Sequence, residues 1–185
     1  MEKTMIAGQK RVAVLCILQS TEAFLLIHRA QDPNRGKYTP IGGKVDLFEG
    51  PRQAAYREVR EETGLELPSV EVLRFRGVLI ETSPTAYNWI SFVYSAQVGH
   101  FEPPPCREGA LEWVPIRCLA DIPTPATDLT IYRYVLEGQP FVLDAHWSGE
   151  LELLTMREEL SGKTIYEAAP GSQNHHSTRQ MNPFK

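Results

Sequence analysis

Residues 43–65 read GKVDLFEGPRQAAYREVREETGL, and this stretch decides how the chain is organised. Gly50-Pro51 opens a helix within it, because proline at the first helical position has no N–H to lose there. Gly64 closes the helix at the left-handed cap position. Glu58, Glu61 and Glu62 stand at i, i+3 and i+4 and therefore share one face. Ala55 and Val59, one turn apart, form a small apolar stripe toward the other side. Three carboxylates on one face repel one another and raise each other's pKa values. A cation relieves that repulsion, and hard oxygen donors select Mg²⁺, Mn²⁺ or Ca²⁺ over zinc.

A solvated, glutamate-rich helix surface would carry the same residues, partly neutralised by Arg57. The flanks argue for a site. Gly42-Gly43 lets backbone approach a ligand closely, and Glu49 sits just before the helix start. The helix N-terminus adds donors and positive potential suited to phosphate.

On the N-terminal side, Val12–Leu18 and Ala23–His28 read as a hairpin joined by Gln19-Ser20-Thr21-Glu22. A turn-rich loop, Gln31–Lys37, leads into Tyr38–Lys44. On the C-terminal side, Val70–Ile80 and Trp89–Val98 read as long strands around a loop with Pro84. Phe101–Cys106 carries Pro103-Pro104-Pro105 and is a surface connection. Ala110–Ile116 is a strand, Asp128–Leu136 a helix capped by Gly138, and Phe141–Trp147 with Leu151–Thr155 a second hairpin about Ser148-Gly149. The pattern predicts one mixed α/β domain over residues 11–167, between a flexible segment 1–10 and a disordered tail 168–185. His175-His176 in that tail read as an incidental polar pair, and His28, His100 and His146 as isolated histidines rather than ligands.

The 185 residues suit a single core, with 42% hydrophobic, 23% charged and 9% aromatic positions. Lys and Arg total 19 against 23 Asp and Glu, a formal charge of -4. There is no basic excess for a nucleic acid polymer, while a small anionic substrate stays open. Cys16, Cys106 and Cys118 form no CxxC pair, so reduced thiols and a cytoplasmic location are expected. Val12–Leu18 is too short to span a bilayer, and no membrane role is expected.

The spacing from Gly43 to Glu49, Arg57-Glu58-Val59, Glu61-Glu62 and Gly64-Leu65 resembles the Nudix box, G-x5-E-x7-R-E-U-x-E-E-x-G-U with U aliphatic, at every fixed position. The resemblance implies an α/β/α sandwich around a mixed sheet, with the box as a loop–helix–loop. It implies Glu58, Glu61 and Glu62 as ligands of Mg²⁺, or of Mn²⁺ in its place, with the Gly42 carbonyl nearby and Arg57 orienting Glu49. The implied reaction is hydrolysis of a nucleoside diphosphate linked to a further group, by metal-activated water and a glutamate base. That base lies within the box or in a later loop, where Glu108 is the candidate.

The wider chain resembles the MutT-type subgroup, which hydrolyses purine nucleoside triphosphates, often oxidised ones such as 8-oxo-dGTP, to monophosphate and pyrophosphate. Arg29 ends a strand like the subgroup's phosphate-contacting one, and Lys44 closes a Gly-Gly-Lys run like its own. Glu108 with Trp113 resembles the subgroup's E-x4-W strand entry, and Asp128 its base-reading acid. Two positions depart from the pattern: Thr39 stands where the subgroup reads the base with Asn, and Thr127 where it has a second acid. Subgroups acting on ADP-ribose or dinucleoside polyphosphates carry a Pro or Tyr beyond the box, and Pro84 and Tyr87 lie farther out than that. Sugar nucleotides, ADP-ribose and dinucleoside polyphosphates remain alternative substrates, and a non-catalytic nucleotide sensor the alternative from another class. Members of the family often dimerise through a sheet edge or an N-terminal segment, which leaves a homodimer open here.

Overall fold

Strands β1 (Arg11–Gln19) and β2 (Ala23–Arg29) form the expected hairpin but stay paired only at its closed end, Leu18 with Leu25 and Gln19 with Phe24. Beyond it they diverge, and the chain from Tyr38 to Lys44 fills the wedge. Its first part, β3 (Tyr38–Thr39), pairs with β2, and its second, β4 (Ile41–Lys44), with β1. Pro40, which has no N–H to donate, stands where the segment changes partner. The structure, a computed structural model, describes residues 8–169. The expectations for residues 1–7 and 170–185, including the His175-His176 pair, lie outside the described residues.

Helix α1 (Pro51–Thr63) starts and stops where the sequence predicts. Gly64 adopts φ 68°, favourable for glycine, and its N–H donates to the Arg60 carbonyl. There follow β5 (Arg74–Thr82), β6 (Trp89–Gln97), β7 (Gly109–Pro115), α2 (Asp128–Glu137), β8 (Phe141–Trp147), β9 (Leu153–Glu158) and β10 (Lys163–Glu167). The strands join one 10-stranded sheet in the order β10-β9-β8-β5-β6-β1-β2-β3, with β4 on β1 and β7 on β2. Pairs β1–β6 and β5–β8 are parallel and the others antiparallel, which makes the sheet mixed.

Alternating side chains of the central strands feed two cores. On one face Val14, Cys16, Leu25 and Ile27 pack with Ala54, Ala55 and Val59 of α1. On the other Ile17, Phe24, Leu26 and Leu143 pack with Leu129, Ile131, Tyr132 and Val135 of α2. The outcome is the expected α/β/α sandwich, each fully buried Leu, Ile or Phe contributing about 1.5–3 kcal/mol relative to exposure.

Three local expectations are corrected. Val70–Val72 is a 3₁₀ turn rather than the start of a strand, because the Ser69 hydroxyl caps it by accepting from the Glu71 N–H. Leu151 belongs to the turn before β9, at φ 62°, with its N–H on the Ser148 carbonyl. Strand β10 lies beyond the expected second hairpin and extends the sheet by pairing with β9. Among the described residues no helix is long and apolar enough to cross a membrane.

Candidate active site

The Gly42-Gly43 segment of β4 runs directly beneath α1. A Cβ on Gly43 would displace the Glu58 carboxylate, and one on Gly42 would strike the Val14 backbone carbonyl, which leaves glycine at that position. The Gly42 N–H donates to Glu62 Oε2 at 3.2 Å, tying the helix to the strand. Glu62 is 9% exposed, Glu58 half-buried and Glu61 exposed. The shared face expected from their spacing is therefore graded from the sheet out to solvent.

Arg57 is the hub of the box. Its Nε and NH2 donate to Glu49 Oε1 and Oε2, both at 2.9 Å. NH1 donates to Glu58 Oε1 at 2.7 Å and to Glu61 Oε2 at 3.4 Å, and NH2 also reaches the Lys44 carbonyl at 3.0 Å. These bonds hold the Glu49 carboxyl below its usual range and the guanidinium's own pKa up. The Lys44 side chain is exposed, and its carbonyl accepts from Arg57.

Glu108 reaches the box from the loop before β7. It lines, with Glu58, Glu61, Glu62 and the Pro105–Arg107 segment, a cleft of about 490 Å³. Arg29, at the end of β2, forms a close ion pair with Glu108 through NH1, while its Nε is buried with no partner. The two residues proposed separately as phosphate contact and base are thus partners, 79 positions apart in sequence. Burial, then the charges of Glu108 and Glu58, push the Glu62 carboxyl up to about 8. Burial also raises Glu58, against the lowering effect of Arg57.

Four carboxylates on one cleft are a hard-oxygen donor set of the kind that suits Mg²⁺ or Mn²⁺. Among the described residues no three ligating side chains already converge on one point. Arg57 accounts for this, since it engages Glu58 and Glu61 while Glu62 is held by Gly42.

The two residues expected to read a base lie apart. Thr39 pairs in register with Ile27, a member of the α1-side core, and its Oγ1 is buried without a partner. Asp128 opens α2 on the opposite face, 4% exposed, with long hydrogen bonds of 3.5 Å from Thr127 Oγ1 and Tyr132 OH. Burial and then Glu81 push its carboxyl well up. Glu81 itself was missed by sequence reasoning. It is 5% exposed on β5, accepts from Tyr87 OH at 3.1 Å, and is pushed up by burial to about 7. Nothing in a strand pattern marks one inward glutamate as different from its outward neighbours.

The sequence model of the NUDIX domain matches residues 9–135. An uncharacterised Nudix hydrolase of Bacillus subtilis, YvcI, is 27% identical over 150 residues, covering 77% of this chain and 90% of that protein. An ADP-ribose pyrophosphatase of Methanocaldococcus jannaschii is 40% identical over 62 residues, 34% of this chain and 36% of that one. The solved structure of a MutT protein from Bacillus halodurans superposes with a TM-score of 0.71 at 24% identity, covering 81% of this chain and 98% of that one.

Proposed function

Because the chain belongs to the NUDIX family, and so is a hydrolase of nucleoside diphosphates linked to a further group, we propose that it hydrolyses a nucleoside triphosphate to monophosphate and pyrophosphate, with oxidised purine triphosphates as candidate substrates. The observation that carries the reading is the cleft itself. Its wall of Glu58, Glu61, Glu62 and Glu108 repels a phosphate chain unless a divalent cation lies between, and Arg29 stands at its border.

Glu58, Glu61 and Glu62 would hold Mg²⁺ or Mn²⁺, with the Gly42 carbonyl beside them. When bound, the ion supplies neutralisation of phosphate charge and a lowered pKa for water. Arg57 keeps Glu49 and Glu58 in place through its fork of hydrogen bonds. Arg29, at the end of β2, and the exposed Lys44 ammonium would bind phosphate oxygens. Glu62 or Glu108 accepts the proton of the water whose oxygen attacks phosphorus, as the bond to the leaving diphosphate breaks. On the far face burial pushes the Asp128 carboxyl well up, and in its protonated form it would both donate to and accept from an uncharged base edge. Thr39 offers a free hydroxyl at the start of the same Gly-Gly segment. Residues 11–167 act as one catalytic unit on a small nucleotide in the cytoplasm, without nucleic acid polymer or membrane.

The match to an ADP-ribose pyrophosphatase over 62 residues favours a second reading, in which the further group is a ribose and hydrolysis releases it as ribose phosphate beside AMP. The two separate in one assay: protein and Mg²⁺ with dGTP, 8-oxo-dGTP, ADP-ribose and a diadenosine polyphosphate, following pyrophosphate and monophosphate. Pyrophosphate from the triphosphates supports the first reading. Silence on triphosphates with AMP released from ADP-ribose replaces it with the second.

A further inference from the structure

The wall of the cleft that faces the glutamates of α1 is the chain between β6 and β7, and its backbone is pinned at both ends. The Trp113 Nε1–H donates to the Phe101 carbonyl at 2.8 Å. The Ala30 N–H donates to the Glu108 carbonyl at 2.9 Å. A Cβ on Gly109 would strike the His28 carbonyl, so the entry to β7 lies hard against β2. Between these anchors Pro103-Pro104-Pro105 fixes successive φ angles, and the Pro104 Cγ lies 3.8 Å from where a Gly64 Cβ would stand. The loop therefore presents Cys106, Arg107 and Glu108 to the carboxylates of α1 from a stiff support.

The arginines of this cleft differ in what they already hold. Arg57 is engaged by Glu49, Glu58 and Glu61, and Arg29 by Glu108. Arg107 lines the cleft beside the four carboxylates, and among the described residues it makes no ion pair and no side-chain hydrogen bond. Its place is also the outermost: Glu62 and Asp128 are buried in the fold, whereas Glu61 and Arg107 are exposed. A nucleotide whose base is read at Asp128 has its nucleoside end inward. Its phosphate tail then runs outward, and its last phosphate meets Arg107. A terminal phosphate presents several free oxygens, which a guanidinium fork binds through parallel N–H donors.

We propose that Arg107 is a specificity-determining residue, which binds the terminal phosphate of the leaving group and favours substrates ending in phosphate over those ending in a sugar. The guanidinium gains in the complex a partner it lacks in the free protein, so the contact gives up no existing ion pair. Arg29, by contrast, is shared with Glu108. A leaving group that ends in ribose offers the fork no anion at that point, and Arg107 adds nothing to its binding. That the phosphate met is the terminal one rests on the triphosphate reading above. The contact between Arg107 and a diphosphate rests on the cleft alone.

Isothermal titration of the full chain in Mg²⁺ with imidodiphosphate, a hydrolysis-resistant diphosphate, tests it on the wild type, Arg107→Ala and Arg107→Lys, with circular dichroism to confirm folding. The expected result is a Kd weakened about tenfold or more in Arg107→Ala, and by less in Arg107→Lys, which keeps the charge without the fork. In turnover, kcat/KM for dGTP falls by a similar factor through KM, and that for ADP-ribose is unchanged. An unchanged Kd in Arg107→Ala overturns the proposal, as does a wild type that binds no imidodiphosphate. Equal losses on dGTP and ADP-ribose overturn it too, since Arg107 then does not distinguish the leaving groups. A wild type that binds imidodiphosphate through Arg107 but hydrolyses no triphosphate supports the contact and discards the triphosphate reading.

Discussion

Arg57 and Glu49 are joined by two parallel hydrogen bonds of 2.9 Å, eight positions apart, one on α1 and the other on the loop before it. The planar fork fits the carboxylate edge to edge, and its remaining NH1 goes on to Glu58. One guanidinium therefore fixes both the loop and the carboxylate closest to Gly43.

Arg57→Lys keeps the charge and loses the fork, because an ammonium cannot bind a carboxylate through two coplanar donors. The expected effect is a fall in kcat of about 10–100-fold, with the melting temperature little changed. Steady-state kinetics and a thermal melt check it, and wild-type turnover in the variant would remove Arg57 from its positioning role.

Arg29 and Glu108 act as a pair, so their substitutions are coupled. Arg29→Ala is expected mainly to raise KM by removing a phosphate contact. Glu108→Gln is expected to lower kcat by about 10²-fold or more if this carboxylate takes the proton. The double variant should depart from additivity by about 0.5–3 kcal/mol, and strict additivity in the kinetic cycle would deny the coupling.

Glu81 makes stability fall with pH. Its carboxyl is pushed up to about 7 by burial, from an ordinary 4.5, so the folded state holds the proton more tightly than the unfolded one. Its contribution is complete below pH 4.5 and is lost as pH rises to about 7. Glu81→Gln should therefore gain stability relative to wild type across that window and keep the gain above it. Denaturant melts at pH 4.5, 6 and 8, about the two pKa values, reveal the trend. A constant difference across them would mean that Glu81 is already ionised in the fold.

Glu158 has the opposite sign. Burial works to raise it, but the Ser161 hydroxyl and the N–H groups of Val142, Leu160 and Ser161 prevail and hold it down to about 2. Its contribution is present above pH 4.5 and is lost between 4.5 and about 2. Glu158→Gln should cost about 1–3 kcal/mol at neutral pH and flatten the acid limb of the stability curve. An acid transition unchanged in the variant would locate the loss elsewhere.

The box was legible because local rules govern it. Gly50-Pro51 and Gly64 delimit a helix through backbone chemistry alone, and 3.6 residues per turn puts Glu58, Glu61 and Glu62 on one side. The short apolar runs of β1 and β2 about Gln19-Ser20-Thr21-Glu22 announced a hairpin in the same local way. What stayed hidden was β10, whose short pattern Lys163–Glu167 lacks the periodicity of a core strand, and the 3₁₀ turn at Val70–Val72, which a single serine cap decides.

The sequence by itself determined the family, the helix of the box and the identity of its carboxylates, because each depends on spacings of a few residues along one chain. Only the tertiary structure decided that Arg29 faces Glu108 and that Glu81 is shut away near Asp128. Those relationships join residues tens of positions apart. They are set by strand register and by how helices and loops pack on a twisted sheet, neither of which is written in any local stretch of residues.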